Sequence, residues 1–291
     1  MKRKLVKQGT ATMMISLPSK WVKENKLDKG SEIEMTEEGA DIKISAVAKK
    51  QDGIRREIYN LSKFDPLINR ALISLYIRGS DEIELVFSTN DELKKLKKHV
   101  LEELIGFEII NQTQTKILIK DVTGIENQDV SVLIKRIFFI LNSMAEELSG
   151  TLKRKENASH IAEIDSSVNR FVHFCLRLLN KKGYSDYSNL KNIYSIVSSF
   201  EEIGDIYKKI AKEKIKINNN QIELIEESRK LLNIFEKLFF EFSRDGAKEL
   251  SKQFELIKSK ASSKEFVDLN ILFIAERIIR MNNELFVMKF V

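Results

Sequence analysis

The chain has 291 residues, of which 43% are hydrophobic and 32% charged, with a net charge of +6 and a single cysteine. That length predicts two or three domains rather than one small core. No run of about 18 uncharged apolar residues is present, which excludes a membrane-spanning helix, and the lone Cys175 excludes an internal disulfide. The opening "MKRKLVKQGT" has no apolar segment of the secretory kind, so a cytoplasmic protein without membrane insertion is expected. Residues 1–29 hold eight basic side chains (Lys2, Arg3, Lys4, Lys7, Lys20, Lys23, Lys26 and Lys29) against Glu24 and Asp28. Their net charge equals that of the whole chain, and the remaining residues balance. A basic end on a neutral body implies an anionic partner held by that end.

Residues 1–48 read as short strands. "KRKLVKQGT" and "TMMISLP" flank a turn at Gly9, "SKWVKENKL" gives a turn or two of helix after Pro18, and "EIEM" and "DIKI" alternate around Gly39 as a hairpin. So few strands cannot close a core alone, so this segment must pair with another chain or cover the rest. Residues 49–126 read as a small α/β domain. "IRREIYNLSKF" and "PLINRALISLYIRG" carry helical spacing and "DEIELVF" alternates as a strand. "STNDELKKLKKHVLEELIG" is a helix capped by Ser88 or Asn90 and ended by Gly106. "FEIINQT" and "KILIKDV" are two more strands. His99 lies on the lysine-rich helix and is expected to be exposed.

Residues 127–291 contain no proline, and breaks near Asn157–Ala158, Lys182–Gly183, Asn218–Asn220, Asp245–Gly246 and Ser262–Ser263 divide them into six helices. "KINNNQ" separates two sets of three, which predicts two three-helix bundles, 127–217 and 218–291, on a weak internal repeat. Apolar stripes run along the first helix (Leu133, Ile137, Ile140, Met144, Leu148) and the second (Ile164, Val168, Phe171, Cys175, Leu178). Cys175 is therefore a core thiol rather than a nucleophile. On the third helix the stripe is Ile196, Phe200, Ile203, Tyr207 and Ile210. At about 100° per residue, Glu201 and Asp205 fall nearly opposite it. Periodicity alone makes them a solvated face. Two carboxylates at i and i+4 also project together. With Asp165 from the flank of the second helix they would offer the oxygen ligands that Mg, Mn or Fe prefer.

The segment "FEEIGDIYKKIAKE" resembles the Glu-Arg-Ile-Gly-Asp helix of the PhoU family of phosphate-uptake regulators. In that family each three-helix half carries an E-x-x-x-D motif on its third helix and an acidic segment on its second, clustered on the outer face. The resemblance implies a divalent or trivalent metal ion (Fe, Mn, Mg or Zn) at Asp165, Glu201 and Asp205. Departures are Asn169 in place of a second acid in "IDSSVNRF" and Lys209 where the family often has Asn. In the second half "AERIIR" keeps Glu276 but puts Arg280 at the Asp position, so that half is expected to have lost its site.

The stretch "VKQGTATMMISLPSKWVKENKLDKGSEIEM" resembles the swapped-hairpin AbrB/MazE/SpoVT DNA-binding module. It has the turn at Gly9, the Leu17-Pro18 end of a strand, a short basic helix, and the run Leu27, Gly30, Ile33. The resemblance implies a homodimer in which two chains interleave into one small β-barrel, with DNA as partner. Phosphates call for Lys, Arg and small hydroxyls, which points to Arg3, Lys4, Lys7, Thr10 and Thr12, flanked by Lys20 and Lys23. Ser16, Trp21 and the Met13–Met14 pair fit dimer core or scaffold. Together the resemblances imply a fold of AbrB-like barrel, α/β domain and PhoU-like helical domain, and an archaeal type of phosphate-uptake regulator that binds DNA. The alternative is an adaptor that regulates a phosphate transporter ATPase, a kinase or another signalling protein by contact, its N-terminal module serving only to dimerise. No Gly-rich phosphate loop, no Ser/His/Asp arrangement and no His-metal spacing is present, as His160 and His173 lie thirteen apart. An enzyme is not expected.

Overall fold

The computed structural model describes residues 3–9, 12–38, 41–46, 56–60, 64, 66–124, 128–184, 187–213 and 217–289. The chain divides into two compact units, Met1–Arg55 and Arg56–Val291.

In the first unit, β1 (Val6–Gln8) and β2 (Thr12–Met14) form an antiparallel ribbon in which Val6 faces Met14 and Lys7 faces Met13. Gly9 opens the turn at φ 74°, a left-handed conformation that favours glycine. Pro18, with φ −64°, leads into α1 (Ser19–Glu24). The helix ends at Asn25, whose side-chain amide donates to the Trp21 carbonyl at 2.8 Å. A second ribbon pairs β3 (Ile33–Glu38) with β4 (Asp41–Ala46), Ile33 opposite Ala46. The hairpin centre Gly39 lies outside the described residues. Two separate two-stranded ribbons result, and Leu27 is the one hydrophobic side chain buried among the described residues of this unit.

The second unit begins with a strand where a helix was expected. Residues Arg56–Asn60, read as helical from "IRREIYNLSKF", form strand β5, which pairs in parallel with β6 (Glu82–Val86) across helix α2 (Ile68–Ile77). Parallel neighbours need a crossover of this kind, and the pairing overrides a weak local periodicity. Helix α3 (Asn90–Glu103) leads to the antiparallel strands β7 (Phe107–Gln112) and β8 (Lys116–Asp121), giving the sheet order β5-β6-β8-β7. The cap of α3 is Thr89, between the two expected residues. Its hydroxyl accepts from Glu92 N at 3.2 Å, and the Glu92 carboxylate returns to the Thr89 amide. Ile83, Leu85, Ile117 and Ile119 on one sheet face are buried with Leu72, Tyr76, Leu96 and Val100 of the two helices. The other face carries ion pairs: Lys116 to Glu84 at 2.6 Å, Arg56 to Glu84 at 3.1 Å and Lys120 to Glu82 at 2.8 Å.

Six long helices follow: α4 (Val130–Lys153), α5 (Ile161–Lys182), α6 (Leu190–Lys212), α7 (Asn219–Phe240), α8 (Arg244–Lys260) and α9 (Phe266–Lys289). Helices α4, α5 and α6 pack on one another, as do α7, α8 and α9; α4 against α7 and α6 against α9 join the two sets. The break expected at Asp245–Gly246 falls earlier, because Ser243 caps α8 by accepting from Gly246 N at 3.1 Å. Every residue of the α4 and α6 stripes is buried; on α5, Val168, Cys175 and Leu178 are buried and Ile164 and Phe171 lie at the rim. Burial pushes the Cys175 thiol up to about 12, so the thiolate that a nucleophile requires is not formed near neutrality. No helix among the described residues is long and apolar enough to cross a membrane.

The α/β layer and the helices form one unit because α5 is fastened to the sheet. Arg177, 1% exposed, donates to the Tyr76 and Ser80 carbonyls at 2.9 and 2.7 Å and to Asp121 Oδ2 at 2.9 Å. Its guanidinium also stacks on the rings of Tyr76 and Phe107. Asn180 donates to the Ile77 carbonyl at 2.9 Å, one turn further along.

Candidate functional site: a basic ribbon and an acidic helix pair

On the N-terminal unit, Arg3, Lys4, Lys7, Thr12, Lys20 and Lys23 are all exposed; Thr10 lies outside the described residues. Residues directly opposite in an antiparallel ribbon share a face, and neighbours along a strand alternate. Lys7 therefore shares its face with Met13, while Thr12 shares the other with Gln8, Val6 and Met14. The expected contact set is thus divided between the two faces of the ribbon. Lys20 makes only a loose i,i+4 pair with Glu24 at 3.9 Å, both side chains largely in water. Seven large apolar side chains described in this unit are also exposed: Leu5, Val6, Met13, Met14 and Ile15 on or beside the first ribbon, and Met35 and Ile42 on the second. A hollow of about 440 Å³ lined by Leu17, Val22, Leu27 and Ile33 opens beside the short helix. Trp21 is half-buried and Ser16 exposed.

The second candidate lies between α5 and α6. Asp165, expected on the flank of its helix stripe, is 3% exposed. Gly204 makes this possible. A Cβ there would stand 3.1 Å from Asp165 Oδ1 and 3.5 Å from Val168 Cγ1, so a larger residue would press on the carboxylate by a few tenths of an ångström, which glycine avoids. Asp165 Oδ2 accepts from Lys208 Nζ at 2.6 Å, and the same ammonium donates to Asp205 Oδ1. Asp165 Oδ1 has no hydrogen-bond partner. Burial raises the Asp165 carboxyl above the usual carboxylate range, with Lys208 pulling the other way. Burial pulls on Lys208 too, but its hydrogen bonds to the two carboxylates outweigh this, and its pKa is raised. Glu201 turns elsewhere: its Oε2 lies 3.6 Å from Nε2 of His173, which is buried on α5 with its Nδ1 unpartnered.

The structure therefore brings Asp165 and Asp205 together and sends Glu201 to a neighbouring contact. Among the described residues no group of three or more His, Cys, Asp or Glu side chains is arranged to hold a metal ion. The donor set present fits an ammonium better than a metal, since the gap between the two aspartates is spanned by Lys208. Lys209 is drawn to α9, its ammonium 5.2 Å from the centre of the Phe266 ring. In the second half, Glu276 and Arg280 line a cleft of about 320 Å³ with Glu202, Ile206, Phe273 and Arg277, and Arg277 pairs with Glu202. His99, expected in solvent, is half-buried and holds Glu103 at 2.9 Å, while His160 faces Glu147 at 3.3 Å.

Sequence reasoning missed Lys208, His173 and Arg177. Lys208 follows Asp205 by three residues, a spacing at which a lysine reaches back to an acid, so a signal was present. Asp165 and His173, eight residues apart on α5, share its α6-facing side. Nothing in the sequence marks Arg177, whose partners are two backbone carbonyls about a hundred residues away and the carboxylates of Asp81 and Asp121.

Residues 6–52 match the sequence model of MazE, the antidote-toxin recognition family of bacterial antitoxins. This is about a sixth of the chain, and it covers the two ribbons and α1. No curated protein and no solved structure gives a match.

Proposed function

We propose that this protein is a dimeric regulator whose N-terminal ribbons bind DNA and whose helical unit senses a signal or engages a partner. The observation that carries the reading is the state of the first unit. It buries one described hydrophobic side chain, Leu27, and leaves seven large apolar side chains in water among exposed lysines. Isolated ribbons of this kind are at best marginally stable. A second copy would cover the apolar faces, double the basic surface and give it the two-fold symmetry that suits near-palindromic DNA. The match of residues 6–52 to an antitoxin family supports a DNA-binding or antitoxin-type regulator.

The finer reading, a regulator of phosphate uptake, rests on the resemblance of "FEEIGDIYKK" alone. A metal ion on Asp165, Glu201 and Asp205 would require Lys208 to withdraw and Glu201 to turn from His173. The one thiol is sealed in the core, which speaks against a cysteine nucleophile. In the adaptor alternative the N-terminal unit only dimerises the chain, and the helical unit makes the protein contact.

The test is DNA binding by the full-length protein and by the Arg3→Ala/Lys4→Ala/Lys7→Ala variant across a salt series, with sedimentation reporting the dimer. The expected result is affinity that falls steeply with salt in the wild type and drops at least about tenfold in the variant. An intact dimer without DNA binding at low salt would select the adaptor reading; a monomer at micromolar concentration would overturn both.

A further inference from the structure

The ammonium of Lys208 does what a bound cation would do on the α5–α6 face. It lies 2.6 Å from a carboxylate that is almost completely buried, and it bridges this group to the exposed Asp205 across the helix pair. Asp165 cannot be solvated where it is, and closure of the helices at Gly204 leaves little room to move it. An unpaired carboxylate in such a place is strongly unfavourable, so its oxygen lone pairs call for a positive charge. One oxygen receives it from Lys208, and the other, Oδ1, stays unpartnered against Gly204.

We infer that Lys208 is the resident cation of this face, a tethered ammonium that occupies the place a divalent ion would need between Asp165 and Asp205. A tethered ammonium needs no free ion and keeps the α5–α6 pair fastened at any metal concentration. It also competes directly: a divalent ion entering between the aspartates must expel Lys208, which then stands beside the ion as a like charge. The native protein is thus locked against divalent ions at this face, and the lock is one side chain. Lys209, the next residue, cannot replace it because it reaches α9 instead.

The experiment is a Mn²⁺ titration of the full-length protein, with free Mn²⁺ read from its electron paramagnetic resonance signal and melting followed in parallel. Wild type is expected to show no saturable site below about 1 mM, a weak limit for oxygen-ligand sites. Lys208→Met is expected to melt about 5–10 °C lower in EDTA, as fits the loss of a buried charge partner in a unit of this size. It should take up one Mn²⁺ per chain at least about tenfold more tightly than wild type and regain most of its melting temperature. Lys208→Met/Asp165→Asn should lose that binding. Lys208→Arg, which keeps the charge, should bind no better than wild type. If Lys208→Met does not fold in EDTA, refolding in Mn²⁺ decides: recovery only with the metal supports the assignment, and equal failure with and without it overturns it. Wild-type uptake of one Mn²⁺ per chain well below 1 mM, abolished by Asp165→Asn, would also overturn it. None of these readings depends on DNA binding.

Discussion

Met13 and Met14 stand in water on a two-stranded ribbon, whereas Arg177, with the longest charged side chain available, is 1% exposed inside the larger unit. The two regions invert the usual placement in opposite directions. In the N-terminal unit seven described apolar side chains are exposed, the surface that the proposed partner copy would cover. In the larger unit there is core to spare, and charged groups are enclosed where an opposite charge or hydrogen-bond partner meets them, as at Arg177 and Glu227 and, through one oxygen only, at Asp165. An exposed apolar group tells where another surface belongs; an enclosed charged group tells which elements must stay together.

Three substitutions probe that contrast. The largest effect is expected at Arg177. Changing it to Met leaves Asp121 and the Tyr76 and Ser80 carbonyls without their donor, a loss of about 3–5 kcal/mol by the usual cost of breaking a buried charge network. Urea unfolding of the full chain measures it; a change below about 1 kcal/mol would mean that α5 is fastened to the sheet by apolar contact alone.

A smaller effect is expected at Glu227, nearly buried on α7. Burial alone would raise its carboxyl, but bonds from Gln253 at 2.7 Å and Lys230 at 3.2 Å outweigh this and hold it below the usual carboxylate range. A carboxyl depressed on folding stabilises the fold above its unfolded value, and that contribution fades as pH falls through the folded one. Glu227→Gln should therefore cost about 1–2 kcal/mol near neutrality, the scale of a charge-assisted bond, and flatten the acid limb of the stability curve. Parallel acid limbs in the two proteins would exclude this group as a source of acid sensitivity. Lys20→Ala should do least. The melting temperature is expected to stay unchanged, since the pair with Glu24 is loose and solvated. The salt dependence of DNA binding should become shallower by about one counterion; a slope identical to wild type would take Lys20 out of the contact surface.

Much of the helical architecture was legible because it is written in local terms. The stripes of α4 and α6 are buried residue for residue, and the capping box of α3 was off by one position, Thr89 instead of Ser88 or Asn90. The misreading of Arg56–Asn60 has a definite origin. Five residues with mixed polarity fit either period, and only the neighbouring strand β6 decides. The acidic face was found by spacing, and its solvated character holds for Asp205, which is exposed. Asp165 was not legible as a buried group, because its burial depends on Gly204 of another helix.

The sequence by itself determined the basic N-terminal segment with too little core, the six-helix stretch, the core role of Cys175 and the pairing of Glu201 with Asp205 on one helix face. These follow from composition and from repeats of two or 3.6 residues, which every strand and helix must obey. The tertiary structure alone decided that Lys208 bridges Asp165 and Asp205, that Glu201 meets His173, and that Arg177 fastens α5 to the sheet. Apart from the i,i+3 contact of Lys208 with Asp205, those contacts join residues on different elements, and electrostatic partners at that range are chosen by the distance and desolvation that packing imposes, which no local pattern encodes.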